Sequence, residues 1–128
     1  MSTVPMLFSK LHRATITGAD LHYEGSIAID VSLLRAANIR PLQRVEIYDI
    51  DNGARFATYA IAGEPGQVML NGAAARLVQP GDKIIVCAYG DVDIDQADAH
   101  TATVVLLGEG NKIDRILTQS AALPGEAV

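Results

Sequence analysis

Glycine and proline divide this chain into segments that are too short for long helices. The sequence has 11 glycines and 5 prolines in 128 residues, and short apolar or β-branched segments lie between them. Such spacing is typical of domains built from many short strands. A chain of this size buries about 68% of its unfolded surface when it folds, which allows a real core. We therefore expect a single strand-rich domain.

The first expected strand covers residues 8–17, where strict alternation places Lys10, His12, Ala14 and Ile16 on one face. Segment 84–89 is continuously apolar, which indicates a strand buried on both faces. The other expected strands are 27–29, 45–50, 55–62 and 101–107. A closed or nearly closed barrel suits such a set, because closure removes exposed strand edges.

Turns and caps connect these strands. Asn52 and Gly53 predict a tight hairpin between 45–50 and 55–62, because Asn-Gly supplies the positive φ angles that such a turn needs. Residues 18–20 are predicted to form another turn. The small and polar segment 118–128 is expected to be a disordered tail after a barrel domain at 1–117. Two short helices are expected, over 31–38 after Asp30 and over 72–77 after Asn71.

Composition limits the classes of function. The formal charge of -5 disfavours a nucleic-acid binder, which normally has a basic face. No apolar segment approaches the roughly 20 residues that cross a bilayer, and the N-terminus does not resemble a signal peptide. The single cysteine, Cys87, suits a reducing cytoplasm. No histidine has metal-ligand spacing with another histidine or with Cys87, so we expect no metal site.

Two clusters of side chains could bind an anion. Lys10, His12 and Arg13 place three potential cations in four residues, which is either a solvated strand face or a carboxylate site. Arg55 and Tyr59 lie four residues apart and share a strand face. They form either a surface pair or a carboxylate clamp beside a phenol that donates a proton.

Gly25 and Ser26 also have two interpretations. A Gly-Ser dipeptide is usually part of a turn. The serine hydroxyl can instead attack the glycine carbonyl, because glycine leaves that carbonyl open and tolerates a strained backbone. The resulting ester can eliminate to dehydroalanine, which hydrolyses to a pyruvoyl group. The dipeptide alone does not decide between them.

The surrounding motifs resemble the family of pyruvoyl-dependent aspartate 1-decarboxylases. The similarity runs in order from about Met6 to about Glu109. Its motifs are Lys10-Leu11-His12-Arg13, Ala19-Asp20-Leu21-His22-Tyr23-Glu24-Gly25-Ser26, Asn52-Gly53-Ala54-Arg55-Phe56-Ala57-Thr58-Tyr59-Ala60-Ile61, Asn71-Gly72-Ala73-Ala74-Ala75-Arg76 and Gly81-Asp82.

This resemblance implies a mainly β fold, a double-psi β-barrel with short helices. It implies self-cleavage between Gly25 and Ser26 into a β chain, 1–25, and an α chain, 26–128. It further implies a carboxy-lyase that converts L-aspartate to β-alanine and CO2 for pantothenate and coenzyme A synthesis. The covalent pyruvoyl group, derived from Ser26, would be its cofactor and form a Schiff base with the substrate, with no external cofactor or metal. A cytoplasmic homotetramer with sites at subunit interfaces is implied, with an accessory maturation protein as an open question.

The resemblance also implies roles for individual residues. Tyr59 matches the proton donor, and Thr58 matches a residue that assists cleavage. Strict alternation places Thr58 on the face opposite Arg55 and Tyr59, which a shared interface site would explain. An alternative function is an unprocessed barrel that binds a small molecule or regulates. The implied substrate-binding residues are Lys10, Tyr23, Arg55, Asn71, Gly72, Ala73 and Ala74.

Overall fold

The structure, a computed structural model, describes residues 2–125. None of the helices in this range is both long and apolar enough to span a membrane. One α-helix, α1, spans Val31–Ala37, and 3₁₀ helices span Gly72–Leu77, Ile94–Ala99 and Glu109–Asn111. The strands are β1 (Thr3–Thr15), β2 (Gly18–Asp20), β3 (Ser26–Asp30), β4 (Arg44–Asp49), β5 (Arg55–Gly63), β6 (Val68–Asn71), β7 (Lys83–Asp93), β8 (Thr101–Leu107) and β9 (Ile113–Ser120).

Six of these strands close into a ring. The sheet order is β2-β6-β3-β5-β4-β7-β1-β8-β9. Thr17, just after β1, joins Val68 at the start of β6. The Thr17 N–H donates to the Val68 carbonyl at 2.8 Å, and the Val68 N–H donates to Thr17 Oγ1 at 3.0 Å. The mixture of parallel and antiparallel pairs in a mainly β barrel confirms the predicted psi-barrel fold class.

The inner face of the ring is almost entirely aliphatic. Its side chains interdigitate in one cluster, and the strands alternate between this cluster and the outer face. The outer face is therefore available for polar side chains. The largest fully buried side chains are Leu11, Ile16, Ile27, Ile29, Leu33, Ile47, Leu70, Ile84, Val45, Val68, Val86 and Val105.

A bulge in β1 corrects the predicted alternation. Arg13 has a φ of 67°, and the pairing with β7 shifts between His12 and Ala14. An extra residue at a bulge reverses which side chains face inward. Ala14 and Ile16 are therefore buried on the face of Leu11, not on that of Lys10 and His12 as strict alternation predicted.

The hairpin and the first helix form near their predicted positions. The Asp30 carboxylate accepts from the Ser32 N–H at 2.8 Å and caps α1, as predicted. In the loop between β4 and β5, Gly53 has a φ of 77°, but Asn52 has no positive φ. The predicted tight Asn-Gly turn is therefore wrong. Asp49 organises a longer loop instead.

Three carboxylates meet at this loop, and their proximity was not predicted from the sequence. One oxygen each of Asp49, Asp51 and Asp82 lies within 4.8 Å of the others. Burial raises the pKa of Asp49, and Asp82 raises that pKa further. Asp49 Oδ1 accepts the Asp51 N–H at 2.8 Å, and Asp51 Oδ2 accepts the Lys83 N–H at 2.7 Å. The cluster thus ties the loop to the start of β7.

Two other predictions fail for non-local reasons. Residues 18–20 form β2, which pairs in parallel with β6, so the predicted turn is wrong. Residues 118–120 complete β9, so the expected disorder is wrong there. Backbone pairing between Thr101 and Ser120 orders that end of the strand whatever its side chains are. Residues 121–125 follow β9, and the part of the predicted tail at 126–128 lies outside the described residues.

Candidate active site

Ser26 lies at the start of β3 with a buried hydroxyl. Its side chain is only 1% exposed. Its Oγ donates to the Glu24 carbonyl at 3.1 Å and accepts from Asn71 Nδ2 at 3.1 Å. The bond to Glu24 turns the hydroxyl back towards the preceding chain, the side on which the Gly25 carbonyl lies. The Ser26 hydroxyl is therefore held in place by two hydrogen bonds beside the Gly25-Ser26 peptide.

Asn71 contacts Ser26 instead of capping a helix. It precedes the 3₁₀ helix Gly72–Leu77, but its side chain makes no capping hydrogen bond, so the predicted cap is wrong. Antiparallel pairing of β3 with β6 places Asn71 opposite Ser26 and directs its amide to that hydroxyl. Within the described chain, the buried Asn71 Oδ1 has no hydrogen-bond partner. It is therefore free to accept a hydrogen bond from a bound molecule.

Gly72 allows the backbone to approach the Gly25-Ser26 bond closely. Its φ is 69°, and a Cβ there would lie 2.7 Å from Gly25 Cα and 2.8 Å from Gly25 N. No side chain fits such a contact without displacing the backbone. Gly25 itself has open space around the position of a Cβ. The close contact at Gly25 therefore comes from the backbone of Gly72.

A cavity of about 310 Å³ opens beside Asn71. Its volume is at the lower end of the range for small-molecule sites, ~300–1,000 Å³. Tyr23 contributes to its wall, whereas Ala73 and Ala74 lie in the 3₁₀ helix and do not line it. A larger cavity of about 650 Å³ contains none of the predicted site residues. The residues around the smaller cavity are Asp20, Tyr23, Ala28, Ile61, Ala62, Gln67, Met69 and Asn71.

β5 brings Tyr59 level with Ser26. Parallel pairing joins Ile27 to Ala60, so one step back along both strands places Ser26 beside Tyr59 on the outer face. A further step back places Thr58 level with Gly25. Thr58 pairs with the buried Val45 and faces inward, as alternation predicted. Of Thr58 and Tyr59, only Tyr59 has its side chain on the same face of the sheet as Ser26.

Arg55 lies at the opposite end of β5 from this group. Four residues of strand separate it from Tyr59, about 13 Å at ~3.3 Å per residue. Its guanidinium carbon lies 3.9 Å from the centre of the Tyr48 ring. Tyr48 is on β4, on the side of β5 away from β3. The structure thus holds Arg55 away from Ser26 of the same chain.

Lys10 belongs to another part of the barrel. It pairs with Cys87 of β7 and with Val104 of β8, and not with β3 or β6. Lys10 and His12 line a separate cavity of about 310 Å³ against β8 and β9. Burial lowers the pKa of His12, and the charges of Lys10 and Arg13 lower it further, so His12 is neutral at pH 7. The predicted site residues therefore fall into two groups in the structure. One contains Ser26, Asn71, Tyr23 and Tyr59, and the other contains the two cations Lys10 and Arg55, which lie away from the first.

Comparison with known proteins places this arrangement in a family. The family model described as aspartate decarboxylase matches residues 2–114. The chain belongs to the aspartate decarboxylase family. The match covers every element from β1 to the start of β9 and includes both groups of predicted site residues.

This chain is also similar to individual proteins over most of their length. A protein of Clostridium botulinum is 53% identical over 116 residues, covering 89% of this chain and 91% of its own. One of Methylibium petroleiphilum is 50% identical over 113 residues, 87% of this chain and 94% of its own. A third, of Bdellovibrio bacteriovorus, is 49% identical over 110 residues, covering 86% and 89%. All three are named aspartate 1-decarboxylase.

Two tyrosines on the outer face were not predicted from the sequence. The hydroxyls of Tyr48 and Tyr89 form a hydrogen bond of 2.9 Å, and the guanidinium of Arg55 lies over the Tyr48 ring. The predicted hairpin between β4 and β5 held a signal for the contact of Tyr48 with Arg55, since its register pairs these two residues. No local pattern indicates Tyr89, because it comes from β7.

Proposed function

We propose that this member of the aspartate decarboxylase family converts L-aspartate to β-alanine and CO2 with a pyruvoyl group made from its own Ser26. The single domain extends through β9 to Ser120, beyond the predicted boundary at 117. Cleavage between Gly25 and Ser26 divides the polypeptide into chains 1–25 and 26–128. The observation that carries the proposal is the buried Ser26 hydroxyl, held between the Glu24 carbonyl and the Asn71 amide next to Gly25.

Self-cleavage starts when Ser26 Oγ adds to the Gly25 carbonyl carbon. The bond from that carbon to the Ser26 nitrogen breaks, the nitrogen gains a proton, and an ester replaces the amide. Loss of the Ser26 α-proton then breaks the Cβ–Oγ bond and leaves Gly25 with a free carboxylate. Water displaces the nitrogen as ammonia and completes the pyruvoyl group.

Asn71 supports the second of these steps. Its Nδ2 already donates to Ser26 Oγ, and that oxygen becomes part of the departing Gly25 carboxylate. A hydrogen bond to an atom that gains negative charge is stronger than one to a neutral atom. Gly72 keeps the neighbouring backbone close enough for this geometry. The residues around Ser26 therefore fit the formation of a pyruvoyl group.

The pyruvoyl carbonyl supplies the electron sink for loss of the substrate's α-carboxylate. The protein supplies the other requirements. Arg55 binds the carboxylate that stays, with Lys10 adding charge, because a guanidinium matches a carboxylate and does not titrate. Tyr59, level with Ser26, carries the phenolic proton for the α-carbon, and Asn71 Oδ1 accepts from the substrate amine. Tyr23 lines the cavity beside Asn71 and borders the substrate. Ala73 and Ala74 do not line that cavity and Thr58 faces inward, so this mechanism gives them no direct role.

The separation of the two groups of residues supports a shared site. Aspartate is too short to reach from the Ser26 region to a guanidinium held over Tyr48 of the same chain. A neighbouring copy can bring its Lys10 and Arg55 to the Ser26 of the first, which fits a homotetramer with sites at subunit interfaces. The free, buried thiol of Cys87 suits the cytoplasm, where β-alanine would enter pantothenate synthesis.

Intact mass and turnover test the proposal directly. Purified protein is expected to yield two fragments with the masses of residues 1–25 and of a pyruvoyl-containing 26–128, and to release CO2 from L-aspartate. Incubation without other proteins shows whether cleavage needs an accessory maturation protein. A chain that stays whole with every added factor, and releases no CO2, would instead support the unprocessed binding module.

Asn71→Ala is expected to slow cleavage about 10- to 100-fold, because a hydrogen bond to a charged group contributes ~1.5–3 kcal/mol. The fraction of cut chain is followed by mass against time. Asn52→Ala is the matched control, since it removes an amide hydrogen bond to the carbonyl of Leu77 and none to Ser26. Equal cleavage rates in Asn71→Ala and the wild type would remove Asn71 from the maturation step.

A further inference from the structure

We propose that Tyr48 and Tyr89 form a positioning pair that fixes the guanidinium of Arg55 for the substrate carboxylate. This inference rests on the role of Arg55 in the proposed function. It adds two residues, from β4 and β7, that neither touch Ser26 nor take part in cleavage. Their effect is expected on substrate affinity alone.

The contacts form a continuous path from β7 to β5. The Tyr89 hydroxyl bonds the Tyr48 hydroxyl at 2.9 Å, and the Arg55 guanidinium carbon lies 3.9 Å from the centre of the Tyr48 ring. Tyr48 and Arg55 are also directly paired across β4 and β5, so the backbone fixes one end of each side chain. The hydroxyl bond fixes the other end of Tyr48. An otherwise exposed arginine is thereby held in one place.

The pair leaves the charge of Arg55 available. The nearby carboxylate of Glu46 is engaged by Arg44 at 3.2 Å. The hydrogen bond with Tyr48 raises the pKa of Tyr89, and burial raises that pKa further, so this phenol stays neutral at working pH. A neutral ring attracts a cation without cancelling its charge. The N–H groups of Arg55 that do not contact the ring therefore remain for a carboxylate.

Pre-ordering of Arg55 has a measurable consequence. An arginine side chain loses considerable rotamer freedom when a ligand fixes it. The tyrosine pair imposes that order before the substrate arrives. Removing the pair should therefore weaken the binding of any dicarboxylate, while the step that breaks the carbon–carbon bond keeps its rate.

The experiment compares Tyr48→Leu, Tyr48→Trp and Tyr89→Phe by KM and kcat for L-aspartate. Loss of the ring in Tyr48→Leu should raise KM about two- to fivefold, the size of an exposed cation–π contact, with kcat unchanged. Tyr48→Trp keeps an aromatic face and should raise KM no more than Tyr89→Phe does. A fall in kcat with KM unchanged in Tyr48→Leu would overturn the inference.

Succinate binding, measured by calorimetry in Ser26→Ala protein, gives a second test that requires neither cleavage nor turnover. Tyr48→Leu should raise the Kd for succinate by the same factor by which it raises KM for L-aspartate. In protein that already carries Arg55→Ala, adding Tyr48→Leu should not raise this Kd any further. An equal loss in the presence and absence of Arg55 would show a merely structural role, and no succinate binding at all would also contradict the inference. If succinate binds as expected but the wild type is neither cut nor active, the proposed function fails and the positioning pair stands.

Discussion

Ser26→Ala is expected to leave the chain whole and to abolish the release of CO2 from L-aspartate. The substitution removes the oxygen that we propose attacks the Gly25 carbonyl, so no ester and no pyruvoyl group can form. Alanine fits the buried site, although the Asn71 amide loses its partner at a cost of about 1–3 kcal/mol. The protein should therefore stay folded while it is inactive. Intact mass and labelled CO2 release measure both properties.

Ser9→Ala is a matched control for this variant. Ser9 is also buried in a strand, and its Oγ has no hydrogen-bond partner among the described residues. It should be cleaved and active like the wild type. Ser26→Cys should still be cleaved, since a thiol can also attack the carbonyl. Normal turnover by Ser26→Ala would show that the pyruvoyl interpretation is wrong.

Arg55→Ala is expected to lower kcat/KM about 10- to 100-fold, because a charge-assisted pair with a carboxylate contributes ~1.5–3 kcal/mol. Arg55→Lys keeps the charge but loses the planar fork, so it should fall between alanine and the wild type. Neither variant should change cleavage at Gly25-Ser26. Arg35→Ala, on the exposed side of α1, is the control for removing a positive charge. Unchanged kcat/KM in fully cleaved Arg55→Ala would leave Lys10 as the carboxylate partner.

Mixed assemblies extend this prediction to the shared site. Ser26→Ala and Arg55→Ala are each impaired alone, but coexpression places them in one oligomer. If one subunit supplies Ser26 and its neighbour supplies Arg55, up to about a quarter of the sites in a random one-to-one mixture have both residues intact. Activity well above that of either variant is therefore expected. Mixed oligomers no more active than the sum of the separate variants would place the whole site within one chain.

Local signals predicted much of the fold, and the number of short strands predicted a closed barrel, but the long-range contacts within it were not predicted. The cap at Asp30 and the strands on either side of the β4–β5 loop depend on neighbouring residues, and the structure confirms them. The bulge at Arg13 and the parallel strand β2 depend on β7 and β6, which are distant in sequence. Residues 118–120 were likewise expected to be disordered because their side chains are small and polar. Their order comes from β8.

In the candidate site, too, local motifs were predicted and contacts between distant residues were not. The motifs around Ser26 and Asn71 were found from sequence, and the structure joins the two side chains by a hydrogen bond. The sequence suggested that Asn71 caps a helix, because only the pairing of β3 with β6 reveals its other partner. Tyr89 carried no signal, since its contact with Tyr48 depends on the order of β4 and β7 in the ring.

The place of β1 in the sheet determines what the proposed cleavage would do to the protein. β1 lies between β7 and β8 and also leads into the Thr17–Val68 closure, so the segment before the proposed cut provides a central strand of the barrel. The two pieces of a cut chain would therefore remain associated without a covalent link. Unfolding of the mature barrel then releases two polypeptides instead of one, which changes its molecularity. Its melting temperature becomes a function of protein concentration, even within a single subunit.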